Sequence, residues 1–417
     1  MDMVYHKKFP SGLRLVVKKM EGLLSVSMGV LVGTGSCYET AVENGISHFI
    51  EHMMFKGTEK RSAFEISDAM DRIGAQTNAF TSKDITCYYA KSTSEHVGEA
   101  FEILADLVLK STFPEDEMER EKSVVLEEIA MTEDTPDDLC LDVLAEAYYG
   151  KTGYGRSILG PAENVRRFSR KELYQYIDER YNPENIVVSF AGNVEPHFAE
   201  ELVEKYIEAN FCQRIYLPRK KQLDLCGQSL FRVKDIEQVH IAYAYPSLSR
   251  EDKRMDAALI VNAVLGGGMS SRLFQRVREQ LGLAYTVYSY ISSYTEGGVL
   301  TVYAGVNPAN VEKACDAIAE TIHVLRREKI TEDEFSRGKE QLKSSIILAQ
   351  ENTASQMLAY GKYMLYNDDL LDVERRIREI GALTLDDCAQ ALECNFHTEH
   401  MAAAAVGKID APIQMPR

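Results

Sequence analysis

The chain has 417 residues, of which 45% are hydrophobic and 27% charged, and its formal net charge is −17 at pH 7. That length predicts two or three domains, and that composition is typical of a globular rather than a disordered protein. The negative charge argues against a nucleic-acid-binding protein, because a phosphate-binding surface needs clustered Lys and Arg. An acidic chamber for basic peptides would fit this charge, and so would an acidity that only keeps the protein soluble.

Eight cysteines are scattered along the chain without a CxxC pair. This usage indicates reduced thiols and a cytoplasmic protein, not a zinc ribbon or a disulfide framework. The N-terminal stretch MDMVYHKKFPSGLRLVVKK lacks the uninterrupted apolar core of a signal peptide. No stretch approaches the roughly 18 apolar residues of a membrane span, so we expect no membrane segment.

Periodicity and turn residues predict the elements of the first half, from strands through helices to a strand pair and two more helices. Two strands lie in LRLVVKK and LSVSMGVLVGTGS, and a helix runs from about Asn44 to Phe55, ahead of the helix-ending Gly57. The later elements are the helix FEISDAMDRIG, the strand pair TNAFTSKDITCYYAKS, the helix EHVGEAFEILADLVLKS and the helix PEDEMEREKSVVLEEIAM, which opens at Pro114. This mixture predicts an α+β fold.

The second half of the chain repeats the first. Ser169 opens SRKELYQYIDERYNPENIVVSFAGN, and Thr384 opens a similar stretch 215 positions later, each ending in a strand and a glycine, Gly192 or Gly407. Six more residues recur 217 positions on, where Glu115, Asp116, Glu117, Arg120, Lys122 and Ile129 become Glu332, Asp333, Glu334, Arg337, Lys339 and Ile346. Chance likeness between amphipathic helices is the alternative. The repeat predicts two duplicated α+β domains, 1–212 and 230–417, with a linker at 213–229.

The stretch HFIEH at positions 48 to 52 places two histidines and a glutamate on one helix. At 100° per residue, His48 and His52 lie about 40° apart and Glu51 about 60° from His48, so all three can face one cavity. Two imidazoles and a carboxylate suit zinc, and a catalytic zinc site keeps three protein ligands and one open position. Glu51 could take a proton from water there. The order HxxEH is the inverted spelling of a metallopeptidase motif, although five residues alone also allow a chance cluster.

A third ligand must come from another element. The helix EREKSVVLEEI offers Glu127 and Glu128, with Glu121 one heptad before Glu128 on the same face. Such glutamates usually belong to a solvated, salt-bridged helix surface. In the repeat, however, Glu128 corresponds to Ser345 and Glu121 to Gly338, so the acidic pair occurs only in the half that carries the histidines.

These residues resemble those of the pitrilysin-type metallopeptidases, a family that includes insulin-degrading enzyme and the β subunit of mitochondrial processing peptidase. In that family a glutamate about 76 residues after the last histidine is the third zinc ligand, and this count from His52 reaches Glu128. The resemblance implies that His48, His52 and Glu128 bind one Zn²⁺ per chain, that Glu51 is the general base, and that Glu121 orients the site. It also implies two duplicated domains, each a mostly antiparallel sheet packed with helices, which face each other around a cavity.

TNAFTSKDITCYYA resembles the family strand that carries an Asn-Ala-aromatic-Thr signature beside the zinc. By this resemblance Asn78, Ala79, Phe80 and Thr81 form a substrate-binding strand, along which the peptide adds through main-chain hydrogen bonds. A plain edge strand would show the same alternation, so that alternative remains open.

In the second half, Arg278 and Tyr285 lie seven positions apart within GGGMSSRLFQRVREQLGLAYTVYSY. Taken alone, they are a solvated helix residue and a core aromatic. The family has an Arg and a Tyr at this spacing, which hold the substrate and polarise its scissile carbonyl. Its long members use four such domains, so the resemblance implies a homodimer here, with Arg278 and Tyr285 completing the partner's site.

The function that follows is a zinc-dependent endopeptidase that hydrolyses unfolded peptides inside an enclosed chamber. We expect peptide substrates as partners, and neither nucleic acid nor a membrane. The alternative is a non-catalytic or heteromeric peptide-binding subunit, because the family also includes subunits without activity. Such subunits typically lack one or more ligands, whereas His48, Glu51, His52 and Glu128 are all present here.

Overall fold

The computed structural model describes residues 4–211, 223–397 and 399–415, and these residues form two mixed β-sheets with helices. The first sheet has the strand order β1-β2-β6-β3-β5-β4 and the second has the order β7-β11-β8-β10-β9. The strands are β1 (Val4–Lys8), β2 (Arg14–Lys19), β3 (Ser25–Val32), β4 (Gln76–Thr81), β5 (Thr86–Thr93), β6 (Ile186–Gly192), β7 (Ser229–Val233), β8 (Val239–Ser247), β9 (Ala284–Ser293), β10 (Gly298–Val306) and β11 (Ala402–Gly407).

The helices fall between these strands in chain order. A π-helix, Phe274–Gln280, precedes β9. The α-helices are α1 (Ile46–Met54), α2 (Ala63–Arg72), α3 (Val97–Lys110), α4 (Glu115–Asp134), α5 (Pro136–Tyr149), α6 (Ala162–Arg167), α7 (Arg170–Arg180), α8 (Pro196–Tyr206), α9 (Met255–Gly266), α10 (Val311–Glu328), α11 (Glu332–Ala349), α12 (Thr353–Asn367), α13 (Val373–Ala382) and α14 (Leu385–Asn395). The predicted strands and helices of the first half are all present, and the predicted α+β class is confirmed. None of the described helices is long and apolar enough to cross a membrane.

The two sheets repeat one topology. In each, one parallel strand pair, β2 with β6 or β7 with β11, is followed by antiparallel neighbours. Helices α7 and α14 begin with the same capping box, in which Ser169 or Thr384 bonds the third helical residue. Strands β6 and β11 end at Gly192 and Gly407, whose φ angles of 136° and 144° favour glycine. These matches support the duplication predicted from the sequence.

Each sheet belongs to one of two compact units, and the units are not contiguous in sequence. The described parts of 1–129, 157–220 and 347–372 form the first unit, whereas those of 130–156, 221–346 and 373–417 form the second. The predicted division into 1–212, 213–229 and 230–417 differs from these units because α5 packs on β11 and β8, while α12 packs on β6 and β3. Most of the predicted linker lies outside the described residues. Domain boundaries and the facing of the two sheets around a cavity stay predictions.

In the first unit, apolar side chains fill both faces of the sheet. Strand β3 is buried almost throughout; its even-numbered residues from Val26 to Val32 lie in one hydrophobic cluster, and Leu31 lies in another on the opposite face. Val30 points into the larger cluster with α1 and α3, whereas Leu31 packs with Met357 of α12. Because helices cover both faces, β3 is buried on both of them, although Ser25, Ser27 and Gly29 alternate with its apolar residues.

Candidate metal centre

Helix α1 is held at its first turn by a buried carboxylate. Glu39 is 4% exposed, and its oxygens accept hydrogen bonds from the backbone N–H groups of Gly45 and Ser47, both at 2.9 Å, and from Asn44 Nδ2 at 3.0 Å. A carboxylate at this end satisfies helix N–H groups that have no partner within the helix and complements the helix dipole. Burial raises the pKa of Glu39, and these three donors act in the opposite direction. Glu39 therefore fixes where α1 begins.

Three side chains from α1 and α4 converge. Oε2 of Glu128 lies 3.6 Å from Nε2 of His48 and 3.5 Å from Nε2 of His52. One ligand atom from each of the three residues lies within 4.8 Å of the other two, and the two imidazole centroids are 4.5 Å apart. Among the described residues this is the one group of three or more His, Cys, Asp or Glu side chains spaced to hold a metal ion.

The donor set fits zinc. A tetrahedral zinc with bonds of about 2.0–2.1 Å requires its donors to be roughly 3.3 Å apart, close to the two Glu128 separations of 3.6 and 3.5 Å. Two imidazole nitrogens and one carboxylate oxygen also form the ligand type of catalytic zinc sites. His48 Nδ1 is buried and has no hydrogen-bond partner among the described residues.

Glu121 supports one of the imidazoles from behind. It is 5% exposed, and its Oε1 lies 2.8 Å from His52 Nδ1 while its Oε2 lies 2.6 Å from Lys56 Nζ. A carboxylate on one ring nitrogen fixes the orientation of the ring and leaves the other nitrogen for a metal. Glu121 therefore turns His52 Nε2 toward Glu128.

The two histidines have opposite pKa shifts. Burial, with help from the neighbouring His52, lowers the pKa of His48 to about 4 against the pull of Glu128. Burial also lowers the pKa of His52, but the carboxylates of Glu121 and Glu128 outweigh it and raise that pKa to about 9. The hydrogen bond from His52 is the main cause of the lowered pKa of Glu128. The pair thus favours one neutral and one cationic imidazole near pH 7, and a metal ion would take the place of the proton between His52 and Glu128.

Glu51 lies on α1 with the two histidines, and its carboxylate accepts a hydrogen bond from the hydroxyl of Thr81. Thr81 Oγ1 donates a hydrogen bond of 2.5 Å to Glu51 Oε2. Burial raises the pKa of Glu51, and the bond from Thr81 partly opposes that shift. Thr81 was predicted as a substrate-binding residue, whereas its side chain here contacts the predicted base.

The other residues of the predicted substrate strand lie on β4, which is the edge strand of the first sheet among the described strands. Asn78 Oδ1 accepts a hydrogen bond of 2.8 Å from the backbone of Ala79. Phe80 packs beside Tyr89, with Lys362 Nζ 5.4 Å from its ring centroid. The edge position is the one that strand addition needs, and the predicted substrate contacts stay a prediction.

Arg278 and Tyr285 belong to the second unit, and the structure brings them together. Cζ of Arg278 lies 4.7 Å from the ring centroid of Phe274 and 4.9 Å from that of Tyr285, so the guanidinium contacts two aromatic rings. The π-helix carries Phe274 and Arg278, and such helices are frequent at functional sites. Tyr285 is 74% exposed and is therefore not a core aromatic. The approach of this pair to a metal site stays a prediction.

Three supporting residues were not singled out in the sequence. Lys56 follows His52 by four positions, so helical spacing alone could have indicated that both reach one partner. Glu39 lies outside α1 and lacks the spacing of a capping box. The hydroxyl of Tyr176, on α7, lies 2.8 Å from Ser47 Oγ of α1. These two residues are far apart in the sequence, so no local pattern predicts this hydrogen bond.

Comparisons with known proteins match this arrangement. Residues 14–162 match the family Insulinase (Peptidase family M16), and residues 167–342 match the Peptidase M16 inactive domain. The uncharacterized zinc protease YmxG of Bacillus subtilis is 42% identical over 396 residues, which cover 95% of this chain and 96% of that protein. An uncharacterized zinc protease of Mycobacterium tuberculosis is 34% identical over 412 residues, covering 98% of this chain and 94% of that protein.

Solved structures share the fold. A protease from Helicobacter pylori superimposes with a TM-score of 0.90 at 23% identity, over 97% of this chain and 99% of that chain. A structure from Pseudomonas fluorescens, described as a peptidase M16 inactive domain, gives a TM-score of 0.91 at 20% identity, over 99% of each chain. At these identities the likeness concerns the fold alone.

Proposed function

This chain belongs to the insulinase family of metallopeptidases, peptidase family M16, and from that membership we propose that it is a zinc-dependent endopeptidase that hydrolyses unfolded peptides within an enclosed chamber. The observation that carries the proposal is the convergence of His48, His52 and Glu128 beside Glu51. The zinc-protease names of the relatives and this cluster both point to zinc. His48, His52 and Glu128 would hold one zinc ion per chain.

When bound, zinc supplies Lewis acidity that polarises the scissile carbonyl and makes water more acidic. Glu51 accepts a proton from the attacking water and later donates it to the leaving amine. Two observations suit this role. Burial raises the pKa of Glu51, and a carboxylate with a raised pKa is a stronger base. Glu51 also precedes the ligand His52 directly on α1, so the base and the two histidine ligands lie on one helix.

The peptide lies along β4 and adds as a further antiparallel or parallel strand on the side of β4 where no described strand pairs with it. Main-chain hydrogen bonds of this kind recognise an extended backbone rather than a particular side chain. Unfolded segments are therefore the substrate class, because a folded domain does not offer a free strand. Asn78 and Ala79 are the contacts that we assign to this edge.

Arg278 and Tyr285 stabilise the negative charge that develops on the carbonyl oxygen. The ring contacts of the Arg278 guanidinium limit its motion, and its Nε also lies 3.6 Å from Oε1 of Glu279. We assign this pair to the site of a second copy of the chain, so the active form is a homodimer in which each site draws residues from both copies.

The decisive experiment incubates the zinc-loaded protein with a mixed peptide library, with and without a chelator, and identifies the products by mass. Glu51→Gln should retain zinc and lose roughly 10²- to 10⁴-fold in turnover. Glu128→Gln should lose zinc, whereas Glu127→Gln, which changes an exposed neighbour on the same helix, should keep both zinc and turnover. Cleavage that survives the chelator, or full turnover by Glu51→Gln, would refute the proposal.

A further inference from the structure

We propose that Thr81 is a positioning residue that orients Glu51 by hydrogen bonding one of its two carboxylate oxygens, so that the strand that binds the peptide also sets the geometry of the base. This inference rests on the proposed function, in which Glu51 is the base. It changes the role of Thr81 from a substrate contact to a residue that acts through another side chain.

The contact has the geometry of a strong hydrogen bond. The separation of 2.5 Å between Thr81 Oγ1 and Glu51 Oε2 falls in the range of a hydroxyl bonded to a carboxylate, about 2.5–2.7 Å. A threonine hydroxyl has one proton, and Glu51 has no proton to give when ionised, so Thr81 donates. Glu51 makes no other hydrogen bond to a described residue. One carboxylate oxygen is thus fixed, and the other stays available to water.

The alternation of side chains along β4 places Thr81 on the face opposite to Asn78, one of the two assigned substrate contacts. Successive residues of a strand point to opposite faces, so Ala79 and Thr81 share one face while Asn78 and Phe80 share the other. Ala79 packs against the hydrophobic cluster that contains α1, and Phe80 packs against the cluster that contains Met357 of α12. The side chain of Thr81 therefore faces α1, the helix that carries His48 and His52, while its backbone belongs to the edge strand.

The strand offers a matched control. Thr77 lies four positions before Thr81 and so on the same face, and its Oγ1 is buried without a hydrogen-bond partner among the described residues. Replacing either threonine by valine removes a hydroxyl while keeping β-branching and nearly the same volume. A general effect of losing a hydroxyl from β4 appears in both variants. An effect on Glu51 appears only at position 81.

The first test measures kcat, KM and zinc content of the zinc-loaded wild type, Thr81→Val, Thr81→Ser and Thr77→Val with a fluorogenic peptide. Thr81→Val should lower kcat about 10- to 100-fold, the usual effect of losing a side chain that orients a reacting group, with KM and zinc content unchanged. Thr81→Ser should restore most of kcat because it keeps the hydroxyl, and Thr77→Val should match the wild type. A rise in KM without a fall in kcat, or lost zinc, would overturn the proposal.

The second test measures peptide binding in the absence of hydrolysis. In a Glu51→Gln background, peptide affinity is measured by fluorescence anisotropy with a labelled peptide. Adding Thr81→Val should leave the dissociation constant unchanged, whereas adding Asn78→Ala should raise it. A weaker affinity caused by Thr81→Val would make Thr81 a substrate contact and overturn the proposal.

A third measurement separates this inference from the proposed function. If the wild type cleaves no peptide, the endopeptidase proposal fails, and the role of Thr81 is then decided by crystal structures of the zinc-loaded wild type and Thr81→Val. Displacement of the Glu51 carboxylate in Thr81→Val, but not in Thr77→Val, supports the positioning role. An unmoved carboxylate overturns it.

Discussion

Lys56 and Glu121 form a close ion pair in which Nζ lies 2.6 Å from Oε2. The carboxylate is nearly buried and also bonds His52, so Lys56 balances a negative charge that has little contact with water. Lys56→Met should lower the free energy of unfolding of the metal-free protein by about 1–3 kcal/mol, because a nearly buried carboxylate loses one partner. Chemical denaturation measures this effect.

The control for that prediction is Lys60→Met. Lys60 pairs with Glu102 at 3.0 Å, but its side chain is 60% exposed. An exposed pair of this kind contributes about 0–1 kcal/mol. Equal losses in the two variants would contradict the role given to Lys56.

Glu39→Ala should weaken zinc binding without touching a ligand. The change leaves the N–H groups of Gly45 and Ser47 unpaired at the start of α1, and each buried unpaired donor costs about 1–3 kcal/mol. Because both histidine ligands lie on α1, we expect zinc affinity to fall about tenfold or more as the helix start loosens. Competition with a chromogenic chelator measures the affinity.

Glu65→Ala is the matched variant for Glu39→Ala. Glu65 also bonds a backbone N–H at a helix start, that of Ser62 at 2.8 Å, but this contact at the start of α2 is exposed. Its loss should have little effect on the stability of the fold and leave zinc affinity unchanged. A fall in zinc affinity from this variant would mean that general destabilisation explains the result at position 39.

Acid should destabilise the second unit through Glu334. Burial opposes ionisation of this carboxylate, but the hydrogen bonds from Arg272, both at 2.7 Å, lead the opposing contacts and lower its pKa to about 2. The unfolded chain therefore binds more protons than the folded chain between about pH 4.5 and pH 2. The stabilisation is complete above pH 4.5 and is lost as the pH falls toward 2. After solvent screening we expect about 1–2 kcal/mol.

Denaturation of the metal-free protein across this pH range tests that prediction. Glu334→Gln should be less stable than the wild type at pH 6, and the difference should shrink as the pH approaches 2. Glu332→Gln changes an exposed carboxylate two positions earlier and should show no such convergence. A pH-independent difference for Glu334→Gln would mean that the ion pair with Arg272 does not stabilise the fold.

Phe274 should matter to catalysis through Arg278. A cation–π contact at a partly exposed site is worth about 0.5–1 kcal/mol, and this corresponds to roughly a two- to fivefold effect on rate. Phe274→Leu should therefore reduce kcat/KM by about that factor while zinc content and peptide affinity in a Glu51→Gln background stay constant. In an Arg278→Ala background the same change should have no further effect. An additive loss there would separate Phe274 from Arg278.

Sharing of sites between copies has a direct test. We expect that mixing Arg278→Ala chains with Glu51→Gln chains, each with strongly reduced but measurable activity, raises the activity above the sum of the two, because a mixed dimer contains one site with an intact Glu51 and an intact Arg278. Each protein alone is the control, and analytical ultracentrifugation verifies that mixed dimers form. Mixed dimers whose activity does not exceed that sum would assign Arg278 to its own chain.

Local patterns predicted the strands and helices from β2 to α4 and the two converging histidines, whereas the third converging side chain came from the family resemblance. The i, i+4 spacing of His48 and His52 is enough to place both on one face, and the family spacing led to Glu128 on α4. Thr81 was recognised by its motif but given another role, because a motif names a residue and not its hydrogen-bond partner. Its bond to Glu51 depends on the packing of β4 against α1.

The sequence did not predict that α5, from the first half of the chain, packs on the second sheet, or that α12, from the second half, packs on the first sheet. Both helices have buried apolar residues at helical spacing, and that pattern is the same whichever sheet the helix covers. Only the folded structure shows which sheet each helix covers. Cys140 of α5 contacts the carbonyl of His240, and Met357 of α12 accepts a hydrogen bond of 2.7 Å from Ser189 at its carbonyl.

The placement of α12 has a consequence for how the protein is made. The last strand of the first sheet, β6, ends at Gly192, but the helix that covers one face of that sheet begins only at Thr353. A nascent chain on the ribosome therefore exposes Leu31 and its neighbours until most of the polypeptide has emerged. Chaperones that shield apolar surface during synthesis would have to bind this sheet until α12 is made. A fragment that stops at residue 212 lacks α12 and leaves that face of the sheet exposed.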